Sequence, residues 1–106
     1  MRVEQPHALG EQEARRRLEA FLDEMMARQP PGGVAVKSAS RWWEGNRMNF
    51  SFQAKKGLFG ATVAGSMVVT DDMVVIESDL PPIIRSFVGE EPIAEGIRRQ
   101  LGALLR

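Results

Sequence analysis

From Met48 to Lys55 apolar and polar side chains alternate, with Met48, Phe50, Phe52 and Ala54 set against Asn49, Ser51, Gln53 and Lys55. A period of two puts these sets on opposite faces of a strand, one dry and one wet. Glu44-Gly45-Asn46 supplies a turn before it, which makes 34–43 its hairpin partner. Lys56-Gly57 turns the chain into a strand over 58–69, where Phe59, Ala61, Val63, Met67 and Val69 share a face. Thr70-Asp71-Asp72 turns it again into Met73–Leu80, where Val74, Ile76 and Leu80 share a face. Connections this short require antiparallel pairing.

Helical periodicity flanks this meander. Ala14, Leu18, Phe21, Leu22 and Met25 recur at three- and four-residue spacing and predict a helix over 11–29, with Glu11 and Glu13 favoured in its first turn. Pro30-Pro31-Gly32-Gly33 ends it, since proline lacks the amide donor. Residues 1–7 predict a short first strand that Pro6 limits. Pro81-Pro82 ends the sheet, and Ile83, Ile84 and Phe87 follow in a segment expected to tuck into the core. A second helix begins near Pro92, with Ile93, Ile97, Leu101 and Leu104 as its buried stripe and Arg98, Arg99 and Arg106 toward its negative end. The predicted fold is α+β: two layers in the order β-α-β-β-β-β-α, with an antiparallel sheet and both helices on one face.

At 106 residues the chain has room for one domain, 1–106, around one core. Fourteen basic residues balance fourteen acidic ones, so no long-range field is expected to attract nucleic acid or an anionic membrane, although a local patch stays open. No integral membrane segment and no signal peptide are read. A cytoplasmic protein is expected.

The residues offer little catalytic chemistry. Cysteine is absent, which removes thiolate nucleophiles and thiolate metal sites. The single histidine, His7, has Glu11 one helical turn away as a candidate orienting group but no evident nucleophile. Asp71-Asp72 fits a tight turn better than a cation site. Arg15-Arg16-Arg17 lies among Glu13, Glu19 and Asp23 and reads as a solvated, charge-laced helix face. The expectation is no enzyme, no metal and no cofactor.

The wet face of the sheet is the informative part. Strict alternation with Val34, Val36 and Trp42 inward turns Trp43 outward beside Lys37 and Arg41, and a bulge at the tryptophan pair would alter this. Leu58, Val68, Met73 and Val75 also fall outward. Trp43, Leu58, Val68, Met73 and Val75 therefore form the candidate contact surface, suited to pairing sheets in a homodimer or to an apolar ligand or partner.

PHALGEQEARRRLE, FSFQAKKG followed by LFGATVAG, IESDLPPIIRSF and the terminal IRRQLGALL occur in one order over nearly the whole chain. In these the sequence resembles the polyhydroxyalkanoic acid system protein family, whose genes lie near those for polyhydroxyalkanoate synthesis. Ser78 stands where glycine is expected before the aspartate, and Pro82 where a larger apolar residue is commoner. The resemblance implies a setting rather than a reaction: the bacterial cytoplasm, at storage-polymer granules. It implies a non-catalytic accessory protein of polyhydroxyalkanoate metabolism, binding a granule surface or a granule-associated protein. The alternative is a small binder that holds an acyl or other apolar ligand between the sheet and the C-terminal helix.

Overall fold

The alternating segment forms a strand one place in from the edge of a five-stranded antiparallel sheet in the computed structural model, which describes residues 1–27, 35–82 and 89–106. In chain order the elements are β1 (Arg2–Pro6), α1 (Glu11–Ala27), β2 (Ala35–Glu44), β3 (Arg47–Lys56), β4 (Phe59–Val69), β5 (Met73–Asp79) and α2 (Glu90–Leu104). The sheet order is β1-β5-β4-β3-β2, so the meander runs outward from β5 to an edge at β2 and β1 closes the other edge. The proline–glycine stop after α1, the inward position of Val34, and Ile83, Ile84 and Phe87 lie outside the described residues.

Register explains which side chains become core. Trp43, Met48, Met67, Ile76 and Val3 form one cross-strand row, and Val69 pairs with Val74 beside it. Their side chains share one face and merge with Ala14 and Leu18 of α1, Ala94 and Leu101 of α2, and Leu105 just beyond it, into one buried cluster. Both helices therefore pack on the same face of the sheet. The buried stripe of α2 is Ala94, Leu101 and Leu105, while Ile97 and Leu104, expected at its centre, are half-buried at its margin. The helix is rolled slightly from the orientation that its largest side chains suggest.

Helix ends are tied down by neighbouring elements. The Asp71 carboxylate accepts the Glu11 N–H at 3.0 Å, which satisfies one orphan amide at the start of α1. Asp72 instead accepts from the Thr70 hydroxyl at 3.1 Å. At the far end of α2, Arg17 of α1 donates to the Leu104 and Arg106 carbonyls at 3.2 and 2.7 Å. This cation complements the negative end of the α2 dipole. That role was expected of arginines on α2 itself, but Arg98 is engaged with Glu95 at 2.8 Å.

The main departure from the sequence reading is in β2. Lys37 pairs with Gln53, yet Ser40 pairs with Ser51, so Ser38 and Ala39 together oppose the single residue Phe52. Ser38 accommodates this bulge at a φ of 55°. An extra residue in a period of two reverses the facing of everything after it. Val36 therefore points inward as expected, but Trp43 also points inward and Trp42 points out.

Candidate functional site

Trp43 was expected on the outer contact surface and is instead a packing residue. Its indole N–H donates to Glu19 of α1, and the Arg15 guanidinium lies 4.0 Å from its ring centroid. A cation over the indole face is attracted by the ring quadrupole. Arg41, on the same face of β2, bridges to Asp23 and to Glu19, the latter at 3.0 Å. Hydrogen bonding to Asp23, with the nearby Glu19 charge, holds the Arg41 guanidinium protonated more firmly than usual. The triple-arginine run is thus divided among three tasks, with Arg16 on the solvated, charge-laced side as expected. Arg15 stacks on Trp43, Arg16 pairs with Glu13 at 2.6 Å, and Arg17 joins Glu13 to the end of α2.

His7 is also structural. Its Nδ1 accepts the Leu9 N–H at 3.2 Å, which leaves Nε2 as the protonated nitrogen, 3.0 Å from the Thr70 carbonyl. The ring ties the β4–β5 turn to the connection before α1, a junction that the His7 N–H reinforces by donating to the Asp72 carbonyl at 3.0 Å. Glu11 does not orient it. With both nitrogens occupied by backbone groups, this imidazole is not poised to move a substrate proton.

The outer face carries Val68 and Val75 as direct cross-strand partners, with Met73 at the margin beside Pro6. All three are half-buried. Around them the face is polar, including an open depression of about 590 Å³ whose lining includes Arg2, Arg47, Asn49, Ser66, Glu77 and Asp79. Arg2 is held by Glu4 and Glu77, and Arg47 donates to the Ser66 hydroxyl at 3.4 Å. Glu77 is the direct cross-strand partner of Ser66 on this face, and its carboxylate is engaged by Arg2. Trp42 occupies the exposed position at this face that had been assigned to its neighbour. Its indole N–H donates to Glu44 at 3.2 Å, and Asn49 donates to the same carboxylate oxygen at 3.3 Å.

Leu58 lies apart from this face, at the tip of the β3–β4 hairpin. The pair Lys56 and Phe59 closes a two-residue loop of Gly57 and Leu58. Gly57 has a φ of 61°, and only this first loop position is left-handed, the pattern of a type II′ turn. Leu58 is fully exposed and Phe59 is 56% exposed; with Trp42 at 49% they are the exposed large apolar side chains among the described residues. Periodicity could find Leu58 as outward but could not distinguish a face from a tip. Among the described residues no group of three or more His, Asp or Glu is arranged to hold a metal ion.

No curated protein and no solved structure was found to match the chain. A family model described as "Putative polyhydroxyalkanoic acid system protein" matches residues 1–105. This match over nearly every residue places the chain in the polyhydroxyalkanoic acid system protein family.

Proposed function

We propose that this is a non-catalytic accessory protein of polyhydroxyalkanoate metabolism that acts by binding, at a granule surface or on a granule-associated protein. The observation that carries the reading is the family match over 1–105. The structural occupation of His7 and of Arg15 to Arg17 supports it, because the groups best suited to chemistry are already engaged. Its setting on this reading is the bacterial cytoplasm.

The contact falls to what remains outside. Leu58, Val68, Met73 and Val75 stay in the candidate surface, and Trp42 replaces Trp43. Pairing of outer sheet faces in a homodimer would use Val68 and Val75 and belongs to the same reading. A ligand held between sheet and C-terminal helix has less support. Val3, Val74, Ile76, Leu101 and Leu105 are closely buried in that layer, and the depression described above lies on the other side of the sheet.

The test is a fluorescent fusion in cells that accumulate polyhydroxyalkanoate, compared with cells that make none. Rings around granules that vanish without polymer are the expected result. Diffuse signal in both would overturn granule attachment.

A further inference from the structure

The formal charge of zero conceals a segregation. The three lysines of the chain are Lys37, Lys55 and Lys56, and all belong to one end of the sheet. Lys37 pairs with Gln53, two residues along β3 from Lys55, and Lys56 leads into the turn that carries Leu58. All three are exposed, and none has an ion-pair partner among the described residues. Neither β3 nor β4 contains an Asp or Glu, and nor do residues 28–34 or 83–88.

Spacing along the strands shows how isolated this cationic end is. Asp79 pairs with Ala64, and Ala64 pairs with Ser51, which is four residues from Lys55. At a rise of about 3.3 Å per residue that separation is roughly 13 Å along the strand. The screening length at physiological ionic strength is about 8 Å. Glu44 lies at the opposite end of β3, roughly 30 Å away. The remaining charge is largely consumed locally, as in Arg41 with Glu19 and Asp23, and Glu13 with Arg16 and Arg17.

We propose that the β3–β4 hairpin end is a wedge for an anionic lipid layer, with Leu58 entering the acyl boundary and Lys37, Lys55 and Lys56 resting among the head groups. Each half of this arrangement selects against other occupants. A fully exposed leucine gains from a surface that offers hydrocarbon, which nucleic acid does not. Three unpaired lysines gain from a surface of negative charge, which a neutral polymer face does not offer. Among the described residues no helix is long and apolar enough to cross a membrane, so the contact is with the surface. The tight turn holds the apolar tip in place before contact, which limits the ordering cost of binding.

This inference rests on the binding reading above by naming what is bound, and its test can fail separately. The purified full chain is mixed with vesicles of phosphatidylcholine alone, or of phosphatidylcholine with phosphatidylglycerol, and bound protein is measured by flotation. Binding is expected only where phosphatidylglycerol is present, falling as salt is raised. Leu58→Asn should weaken it about tenfold or more, and Lys55→Gln and Lys56→Gln about fivefold each. Leu58→Asn is expected to fold, because Asn46 occupies the corresponding position of the β2–β3 turn; an unchanged melting temperature checks this. No binding to anionic vesicles, or equal binding by wild type and Leu58→Asn, would overturn the wedge. Granule rings in cells together with failed vesicle binding would overturn the lipid assignment alone. Vesicle binding without granule rings would overturn granule attachment and leave the wedge standing.

Discussion

The two turns that close the ends of β3 share a backbone but not a surface. Glu44-Gly45-Asn46-Arg47 and Lys56-Gly57-Leu58-Phe59 each join paired residues through a two-residue loop, with glycine first at φ values of 62° and 61°. Glycine is required there because other residues meet their own carbonyl at positive φ. The second position is not constrained in that way. At one end it is Asn46, an ordinary turn residue beside Glu44 and Arg47. At the other it is Leu58, which contributes nothing to the core and sits beside two lysines. A residue that folding does not need, in a place where folding permits anything, is where binding chemistry can be read with least interference.

If the Glu44–Arg47 end serves the architecture and the Lys56–Phe59 end serves contact, the largest stability effect should fall next to the first turn. Trp43→Ala should cost about 2–3 kcal/mol in urea unfolding, because it empties a half-buried site and removes the indole hydrogen bond to Glu19. Trp42→Ala should cost under about 1 kcal/mol. Equal losses would contradict the facing that the bulge imposes.

A smaller effect tests the shared backbone. Gly45→Val and Gly57→Val each place a β-branched residue at positive φ and should each cost about 1–3 kcal/mol. Melting curves that move by similar amounts would support equivalent turns. A large difference would show that one end carries constraints the other lacks.

The smallest effect concerns ion pairs at the helix-covered end. Hydrogen bonds from Arg16 and Arg17 lower the Glu13 pKa from its usual 4.5 to about 2. Its folded pKa is depressed, so its contribution is complete above pH 4.5 and is lost as pH falls toward 2. The difference in stability between wild type and Glu13→Gln should therefore be present at pH 6 and shrink steadily across that window. A difference that persists at pH 2 would mean the pair acts through packing instead. The lysine end, with no such pair, should show no counterpart.

Most of the fold was legible because its signals are local. The Met48–Lys55 alternation, the Gly45 and Gly57 turns and the α1 stripe identified β3, its neighbours and the first helix. The Trp42–Trp43 facing was not legible, because Ser38 and Ala39 carry no glycine or proline to announce an extra residue. Reading the phase backward from Met48 through the turn would have given it correctly, since Trp43 pairs with Met48. The outward valines and Leu58 followed from alternation, but the isolation of the lysines did not follow from a balanced total. It required knowing that Lys37, separated from Lys55 by eighteen positions, returns beside it across one strand pair.

The bulge at Ser38–Ala39 also bears on how copies of the protein behave when crowded. β2 is an edge strand of the sheet and runs for ten residues, long enough to offer amides and carbonyls to another chain. The displaced residue interrupts that row and bends the strand, so an incoming strand cannot stay in step along its length. Removing Ala39 would leave Ser38 alone opposite Phe52 and Trp43 still facing inward opposite Met48, and would straighten the edge into a regular pairing template. The predicted outcome is a protein that assembles into fibrous aggregates rather than one that merely melts earlier.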